Sequence, residues 1–186
     1  MDVTDAYQAV TSTDHYDYGK FFSVDTSGAL GVGQIFDGIR YPVFDKNDAL
    51  FDTVEGLVYL LTHECDISME NERPFNDYLM LCPIFSLENC ITELSASLSD
   101  ESLLGFLANL GADRVSRVVY IPPLLTLKYG GIMYLNQISH THISSFNSDD
   151  ATQIASVTSY GLRIIDYKVT NHLLRPKTAN LPLMQY

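Results

Sequence analysis

Four consecutive residues that can act as ligands, nucleophiles or acid–base groups, His63-Glu64-Cys65-Asp66, follow directly after an apolar segment of the chain. Residues 56–61 of that segment are mainly aliphatic and predict a strand that is buried on both faces. Many folds place their functional groups at the carboxyl end of a buried strand. The four-residue cluster is therefore the best candidate site in this sequence.

Each of these residues has a catalytic interpretation and a structural one. A cysteine becomes a nucleophile when a neighbouring histidine favours its thiolate, but a cysteine after an apolar strand is more commonly a small buried side chain. Glu64 and Asp66 are carboxylates of the kind that hold a divalent metal, but an aspartate at a strand end also caps the next turn. The sequence favours the structural role for Cys65 and Asp66, with a metal-dependent hydrolase or nuclease site at residues 63–66 as the alternative.

A zinc site is a further interpretation of the histidines. If the strand continues, His63 and Cys65 lie on the same face of it, and His140 and His142 share a face of a predicted strand at 132–143. These four side chains would complete a zinc site if the two strands were neighbours. Structural zinc sites more often use closely spaced cysteine pairs, which this chain lacks, so we expect exposed or core histidines and no bound metal.

The glycines at positions 28, 31 and 33 do not form a phosphate-binding motif. Their spacing differs from that of the dinucleotide-binding fingerprint, and no helical pattern follows them. They predict a turn that leads into a strand. Neither a cofactor nor a catalytic reaction is therefore predicted from a recognisable motif.

The composition is that of a folded domain of ordinary size. The chain has 186 residues, of which 46% are hydrophobic and 18% charged. No apolar segment approaches the roughly 18 residues needed to span a bilayer, and the acidic start of the chain lacks the features of a signal peptide. Three cysteines without a paired framework predict free thiols in a reducing compartment, so we expect a cytoplasmic protein.

The net charge of −12 is concentrated in the first third of the chain, where residues 1–66 carry twelve acidic side chains against three basic ones. Repulsion of phosphates disfavours nucleic-acid binding over most of such a surface. An acidic surface can instead bind a basic protein, imitate a polyanion, or serve solubility alone.

A predicted C-terminal helix reverses the sign of the charge, with Arg163, Lys168, His172 and Arg175 in one segment. Such a helix would meet the acidic N-terminal part of the same molecule, or that of a second copy in a homo-oligomer, or contact nucleic acid locally. The intramolecular or solvated arrangement is favoured.

Hydrophobic periodicity predicts six strands and three helices. Two of the helices form a helical hairpin at about 86–112. Ser86 is the predicted N-cap of the first helix, and Gly111 is the predicted end of the second. Residues 41–53 and 68–76 are polar and contain prolines, which predicts loops, and Pro83 is expected to end the third strand. The predicted strands are 34–40, 56–63, 78–82, 118–121, 132–143 (bent) and 154–157.

This order of elements predicts an α+β fold with a mostly antiparallel sheet or a small barrel, an inserted helical hairpin and a C-terminal helix. Residues 1–32 have no sustained period and are rich in acidic and aromatic side chains, which indicates an arm that orders on a partner or packs by its aromatics. Residues 33–186 are expected to form a single domain.

Several segments together resemble a family of uncharacterised bacterial and phage proteins with a Thr/Ser-x-x-Cys-Asp-Ile centre. The centre is Thr62-His63-Glu64-Cys65-Asp66-Ile67, and the resemblance covers about residues 33–175. Members of that family are associated with mobile elements and defence islands. The resemblance implies a component of a bacterial or phage defence, counter-defence or toxin–antitoxin system.

The first half is also similar, more distantly, to the SH3-like barrel of PemK/MazF-type toxins, which begin with a comparable strand. Those toxins cleave RNA with basic and polar groups beside the first strand, where this chain has Arg40 and Lys46 amid Asp45 and Asp48. The resemblance implies a barrel-like fold but no catalytic residue. We therefore expect a non-enzymatic acidic protein that binds another protein, with a hydrolase and a nucleic-acid mimic as alternatives.

Overall fold

The computed structural model describes residues 1–12, 17–23, 25–45, 48–71, 77–124 and 126–173. These residues form an α+β fold with one open sheet of eight strands, and every strand pairing in it is antiparallel. The predicted α+β class and mostly antiparallel sheet are confirmed. Because the sheet is open, the SH3-like barrel is not confirmed.

The strands are β1 (Phe22–Ser23), β2 (Gln34–Asp45), β3 (Leu50–Leu60), β4 (Tyr78–Ser86), β5 (Val118–Ile121), β6 (Gly131–Tyr134), β7 (Ser139–His142) and β8 (Thr152–Val157). The α-helices are α1 (Val3–Thr11), α2 (Glu64–Ile67), α3 (Leu87–Ser95), α4 (Asp100–Gly111) and α5 (Ser159–Leu173). None of the helices in the described ranges is both long enough and apolar enough to cross a membrane.

The strands follow the order β1-β8-β2-β3-β4-β6-β5, and β7 pairs with the first half of β4. Strand β4 therefore has β3 on one side, and β7 followed by β6 on the other. The segment predicted as one bent strand at 132–143 consists of β6 and β7, separated by a 3-10 turn at Leu135–Gln137.

Three apolar clusters form the core. One lies between the sheet and α5, and contains Tyr59 and Ile165. The second lies where α1, α3 and α4 cover β5 and β6, and the third, around Val58 and Phe146, lies on the other face of β2, β3 and β4. The sheet thus carries apolar side chains on both faces, as the continuous apolar segment at 57–60 predicts.

The helical pair follows the sequence pattern closely. Helices α3 and α4 occupy the segment predicted as a hairpin, and the Ser86 hydroxyl accepts a hydrogen bond from the Asn89 N–H at 3.2 Å, as expected of an N-cap. Helix α1 was not expected, because residues 1–32 show no sustained period. It packs against α4 and contributes Ala6 and Val10 to the second cluster, whereas residues 13–16 of the predicted arm lie outside the described residues.

The prediction of a loop at 41–53 is wrong. Strand β2 runs through Pro42 to Asp45, and β3 begins at Leu50, so the two strands form a long hairpin. Proline is compatible with a strand where its missing N–H is not needed by the ladder. The Pro42 carbonyl accepts a hydrogen bond from the Ser139 hydroxyl of β7 at 3.0 Å, so its backbone is directed away from β3.

The prediction that Pro83 ends the third strand is also wrong, because β4 continues to Ser86. Pro83 pairs with Val58 of β3 on one side of β4. On the other side, β7 pairs with β4 up to Leu81 and β6 pairs with it from Ile84, so Pro83 has no strand partner there among the described residues. The missing N–H of proline is tolerated at such a position.

Candidate functional site

The His63–Asp66 cluster lies on a single helical turn and not on a continued strand. Strand β3 ends at Leu60, and the Thr62 hydroxyl accepts a hydrogen bond from the Met80 N–H at 2.7 Å. Helix α2 begins at Glu64 with His63 as its N-cap. The strand alternation that separates His63 and Cys65 from Glu64 and Asp66 therefore does not apply.

His63 and Cys65 are in direct contact. The His63 Nδ1 atom lies 3.3 Å from the Cys65 backbone nitrogen, which donates to it, and 3.0 Å from the Cys65 Sγ atom. Because Nδ1 accepts from the backbone, the neutral imidazole carries its proton on Nε2. The Asn71 side-chain amide donates to the Cys65 carbonyl and ties the turn to the next one.

The four candidate side chains are all exposed. The expectation that Cys65 is a small buried side chain is wrong, and Asp66 is exposed and not buried. The N-cap of α2 is His63, and the capping role expected of Asp66 stays a prediction. The Glu64 carboxylate lies 4.0 Å from His63 Nδ1 and packs against Gly31, where a Cβ would come within 2.9 Å of it.

Cys65 is the accessible thiol of the chain. Cys82 and Cys90 are buried, as predicted, and burial raises the pKa of the Cys82 thiol to about 12 and that of Cys90 to about 11. Those two thiols stay protonated at neutral pH, and only Cys65 is positioned to react with a molecule in solution.

The second histidine pair lies elsewhere on the sheet. His140 and His142 are exposed on one face of β7, and both contact the ring of Tyr78, with centroid distances of 6.2 and 5.5 Å. Strand β4 separates β7 from β3. In the parts of the chain that the structure describes, no three His, Cys, Asp or Glu side chains are grouped so as to hold a metal ion.

The basic side chains predicted for the last helix do not form one exposed basic surface among the described residues. Lys168 is buried, and its ammonium group contacts the Asp113 carboxylate and donates to the Val115 carbonyl at 2.8 Å. Arg163 is exposed on the same helix, and Arg175 lies outside the described residues.

The sequence interpretation missed an exposed apolar surface at the end of the β2–β3 hairpin. Phe44 and Phe51 are paired across the two strands, with ring centroids 5.4 Å apart. Phe44 and Phe51 lie on one face of the hairpin, and Val43 and Leu50 lie on the other. We call these four residues the hairpin end; the exposed fractions of Val43, Phe44, Leu50 and Phe51 are 39%, 51%, 64% and 73%. In the sequence, Val43-Phe44 and Leu50-Phe51 lie on either side of the mostly polar segment 45–49, and this arrangement indicates a hairpin.

A groove of about 500 Å³ adjoins the hairpin end. Residues 41–44 of β2 and Phe51 form one wall, and residues 136–140 before and within β7 form the other. Pro83 and Phe85 of β4 also line it, so the groove is mostly apolar with polar groups along one side. This volume is in the range of pockets that accept a small molecule or a few side chains of another protein.

The His63 side chain is expected to stabilise the turn through its N-cap hydrogen bond. We expect His63→Ala to lower the free energy of unfolding by about 0.5–2 kcal/mol, because the N-cap acceptor of α2 is lost. Cys65→Ala, the matched control on the same turn, should change it by less than about 0.5 kcal/mol, because this side chain is exposed. Chemical denaturation measures both values, and a larger loss for Cys65→Ala would contradict the structural account of the turn.

Comparison of the chain with protein-family models, with curated proteins and with solved structures finds no match.

Proposed function

We propose that the protein is a non-enzymatic component that binds another protein through the hairpin end. The observation that carries this proposal is the exposure of four apolar side chains, among them the contacting pair Phe44 and Phe51, at the end of one hairpin. Exposed apolar patches on a folded domain mark interaction surfaces, and aromatic side chains supply much of the energy at such interfaces.

The position of the two phenylalanines supports this interpretation. Farther along the same strands, Tyr41 and Leu57 are buried in the core, with exposed fractions of 5% and 8%. The apolar pattern of the strands continues beyond the point at which the core ends, so Phe44 and Phe51 contribute little to the packing of the domain. A role at an interface accounts for apolar side chains at these positions.

The surrounding charge favours a basic partner. Residues 43–55 contain the carboxylates Asp45, Asp48, Asp52 and Glu55 and the basic side chain Lys46, and Glu55 is paired with Arg40 of β2 at 3.1 Å. Carboxylates around an apolar centre attract a lysine- or arginine-rich partner and repel acidic ones, which increases both the association rate and the specificity.

The family resemblance supplies the biological setting of the proposal, a bacterial or phage defence, counter-defence or toxin–antitoxin system. The nucleic-acid mimic has less support, because it requires acidic residues on one face. Exposed carboxylates are distributed over α1, the hairpin, α4 and α5, as Asp5, Asp52, Glu101 and Asp166 illustrate.

The test is the double variant Phe44→Ser/Phe51→Ser in co-purification with the products of the native operon. We expect the wild type to recover a stoichiometric protein partner and the double variant to lose affinity at least about 30-fold, since central aromatic residues typically contribute 2 kcal/mol or more. Isothermal titration with the purified partner measures the change.

Tyr167→Ser is the matched control, because Tyr167 is an aromatic residue on α5 with an exposed fraction of 61% and is not part of the hairpin end. It should bind like the wild type. Equal affinity of the double variant and the wild type would refute the proposed surface, and turnover of a substrate by a protein without a partner would refute the proposed class.

A hydrolase is the second candidate, and the contact of 3.0 Å between Cys65 Sγ and His63 Nδ1 is the observation in its favour. In that mechanism His63 accepts the thiol proton, the Cys65 thiolate attacks a carbonyl carbon and the leaving group departs with that proton; water then hydrolyses the thioester and restores the thiol. Cys65→Ala would then abolish hydrolysis without changing the melting temperature. The metal-dependent form lacks support from a ligand group among the described residues.

A further inference from the structure

We propose that the partner binds as an added β-strand along the outer edge of β3 at residues 51–55, with basic and apolar residues alternating in its sequence. The outer edge is the side of β3 that faces away from β2. This inference rests on the proposed protein-binding function and specifies the partner segment that the hairpin accepts.

Among the residues that the structure describes, no strand neighbours the outer edge of β3 over most of its length. Strand β4 pairs with β3 only at Val58, Tyr59 and Leu60, and from Ile84 onward it pairs with β6. Within the described ranges, no strand pairs with β3 at residues 50–57 on this side. A long unpaired edge beside exposed apolar side chains is a template for another strand.

The position of Pro42 shows which backbone groups face this edge. Pro42 has no N–H and its carbonyl accepts from Ser139, so Pro42 and the opposite Thr53 form a non-hydrogen-bonded pair. The N–H and C=O groups of Thr53 therefore point away from β2, toward the outer edge. Because the two kinds of pair alternate, the backbone groups of Phe51 and Glu55 point the same way.

The other edge of the hairpin is protected, which makes the outer edge of β3 the accessible one. On β2 the outward position is occupied by Pro42, which cannot donate, and its carbonyl is already bonded to Ser139 of β7. Proline on an edge strand is a common means of preventing strand addition. Residues 51–55 of β3 contain no proline.

The side chains along the edge define the chemistry of the added strand. Phe51 and Asp52 point to opposite faces of β3, so a neighbouring strand presents alternate residues to an aromatic ring and to a carboxylate. An apolar residue beside Phe51 and a lysine or arginine beside Asp52 match these two environments. Antiparallel pairing with a second copy of β3 centred on Asp52 places the two Asp52 carboxylates directly opposite each other, and this repulsion disfavours a homodimer in that register.

The test uses a fluorescein-labelled octapeptide of alternating lysine and valine and the full-length protein. Fluorescence anisotropy should show saturable binding to the wild type, and Thr53→Pro should weaken it at least about tenfold, because the outward N–H is removed and the proline ring obstructs the edge. Thr53→Ala changes the same side chain but keeps the N–H, so it should bind within about twofold of the wild type. An octapeptide of alternating glutamate and valine should not bind.

Hydrogen exchange of the wild type is an independent measurement that does not depend on the folding of Thr53→Pro. The lysine–valine peptide should slow exchange of the Phe51, Thr53 and Glu55 amides, which point outward, more than that of the Asp52 and Val54 amides, which pair with β2. Failure of the peptide to bind or to slow these amides overturns the strand-addition proposal. A wild-type dimer that Thr53→Pro converts to a monomer also overturns it, by assigning the edge to a second copy.

The two proposals fail in different ways. If Phe44→Ser/Phe51→Ser loses the operon partner while Thr53→Pro retains it, the hairpin end is an interface but not by strand addition. If Thr53→Pro loses the partner while the phenylalanine variant retains it, the edge binds and the proposed apolar surface is wrong.

Discussion

Replacement of Lys168 by methionine is expected to lower the free energy of unfolding by about 3–5 kcal/mol, the range for removing one partner of a buried ion pair. The Lys168 side chain is buried, and its ammonium group contacts Asp113 and donates to the Val115 carbonyl. Methionine keeps most of the volume but leaves a carboxylate and a carbonyl without their donor. Chemical denaturation at pH 7 measures the loss.

The ammonium group is still largely charged at pH 7. Burial lowers the pKa of Lys168 to about 8, which leaves most of the ammonium groups protonated at pH 7. Combining Lys168→Met with Asp113→Asn should recover part of the loss, because the unpaired charge is removed and asparagine tolerates the positive φ of 61° at this position.

Arg163→Met is the matched control, since it removes an exposed basic side chain from the same helix and should change stability by less than about 0.5 kcal/mol. Similar values for Lys168→Met and Arg163→Met would contradict the proposed role of the buried pair in joining α5 to residues 113–115.

Substitution of alanine at the two glycines of α4 should change stability in opposite directions. A Cβ at Gly111 would collide with the Val10 carbonyl of α1, so Gly111→Ala should cost about 1–3 kcal/mol, as overpacking does. At Gly105 a Cβ would meet nothing within 4 Å, so Gly105→Ala should stabilise the protein by about 0.5–1 kcal/mol through helix propensity alone.

Thermal or chemical denaturation of the two single variants compares their stabilities. Each variant is the other's control, because both replace glycine by alanine in the same helix. The sequence suggests that Gly111 is a helix stop. The contact with Val10 instead predicts that its role is the close approach of α1, and a stabilising Gly111→Ala would contradict that packing.

Much of the local structure could be predicted from the order of residue types. The apolar stripe after Ser86, with its N-cap, predicts α3, and the apolar segment before His63 predicts the buried part of β3. These features depend on interactions within a few residues, so a local pattern contains the information. The same holds for the buried cysteines, which lie on apolar faces.

The candidate site could be predicted only in part. The sequence predicts the cluster at residues 63–66, but its geometry depends on where β3 ends. This end is set by Met80 of β4, which forms hydrogen bonds with Leu61 and Thr62. The contact between His63 and Cys65 belongs to a helical turn that strand periodicity does not predict.

By itself the sequence determined the α+β class, the helical pair, the buried strand and the acidic balance of the chain. Only the tertiary structure decided that the Pro42 carbonyl is bonded to β7, that Lys168 is buried, and that residues 3–11 pack as a helix. The physical reason is that these features depend on partners distant in the chain: Ser139 for Pro42, Asp113 for Lys168 and α4 for α1. Hydrogen bonds and ion pairs between distant residues override local propensity, and a local pattern does not encode them.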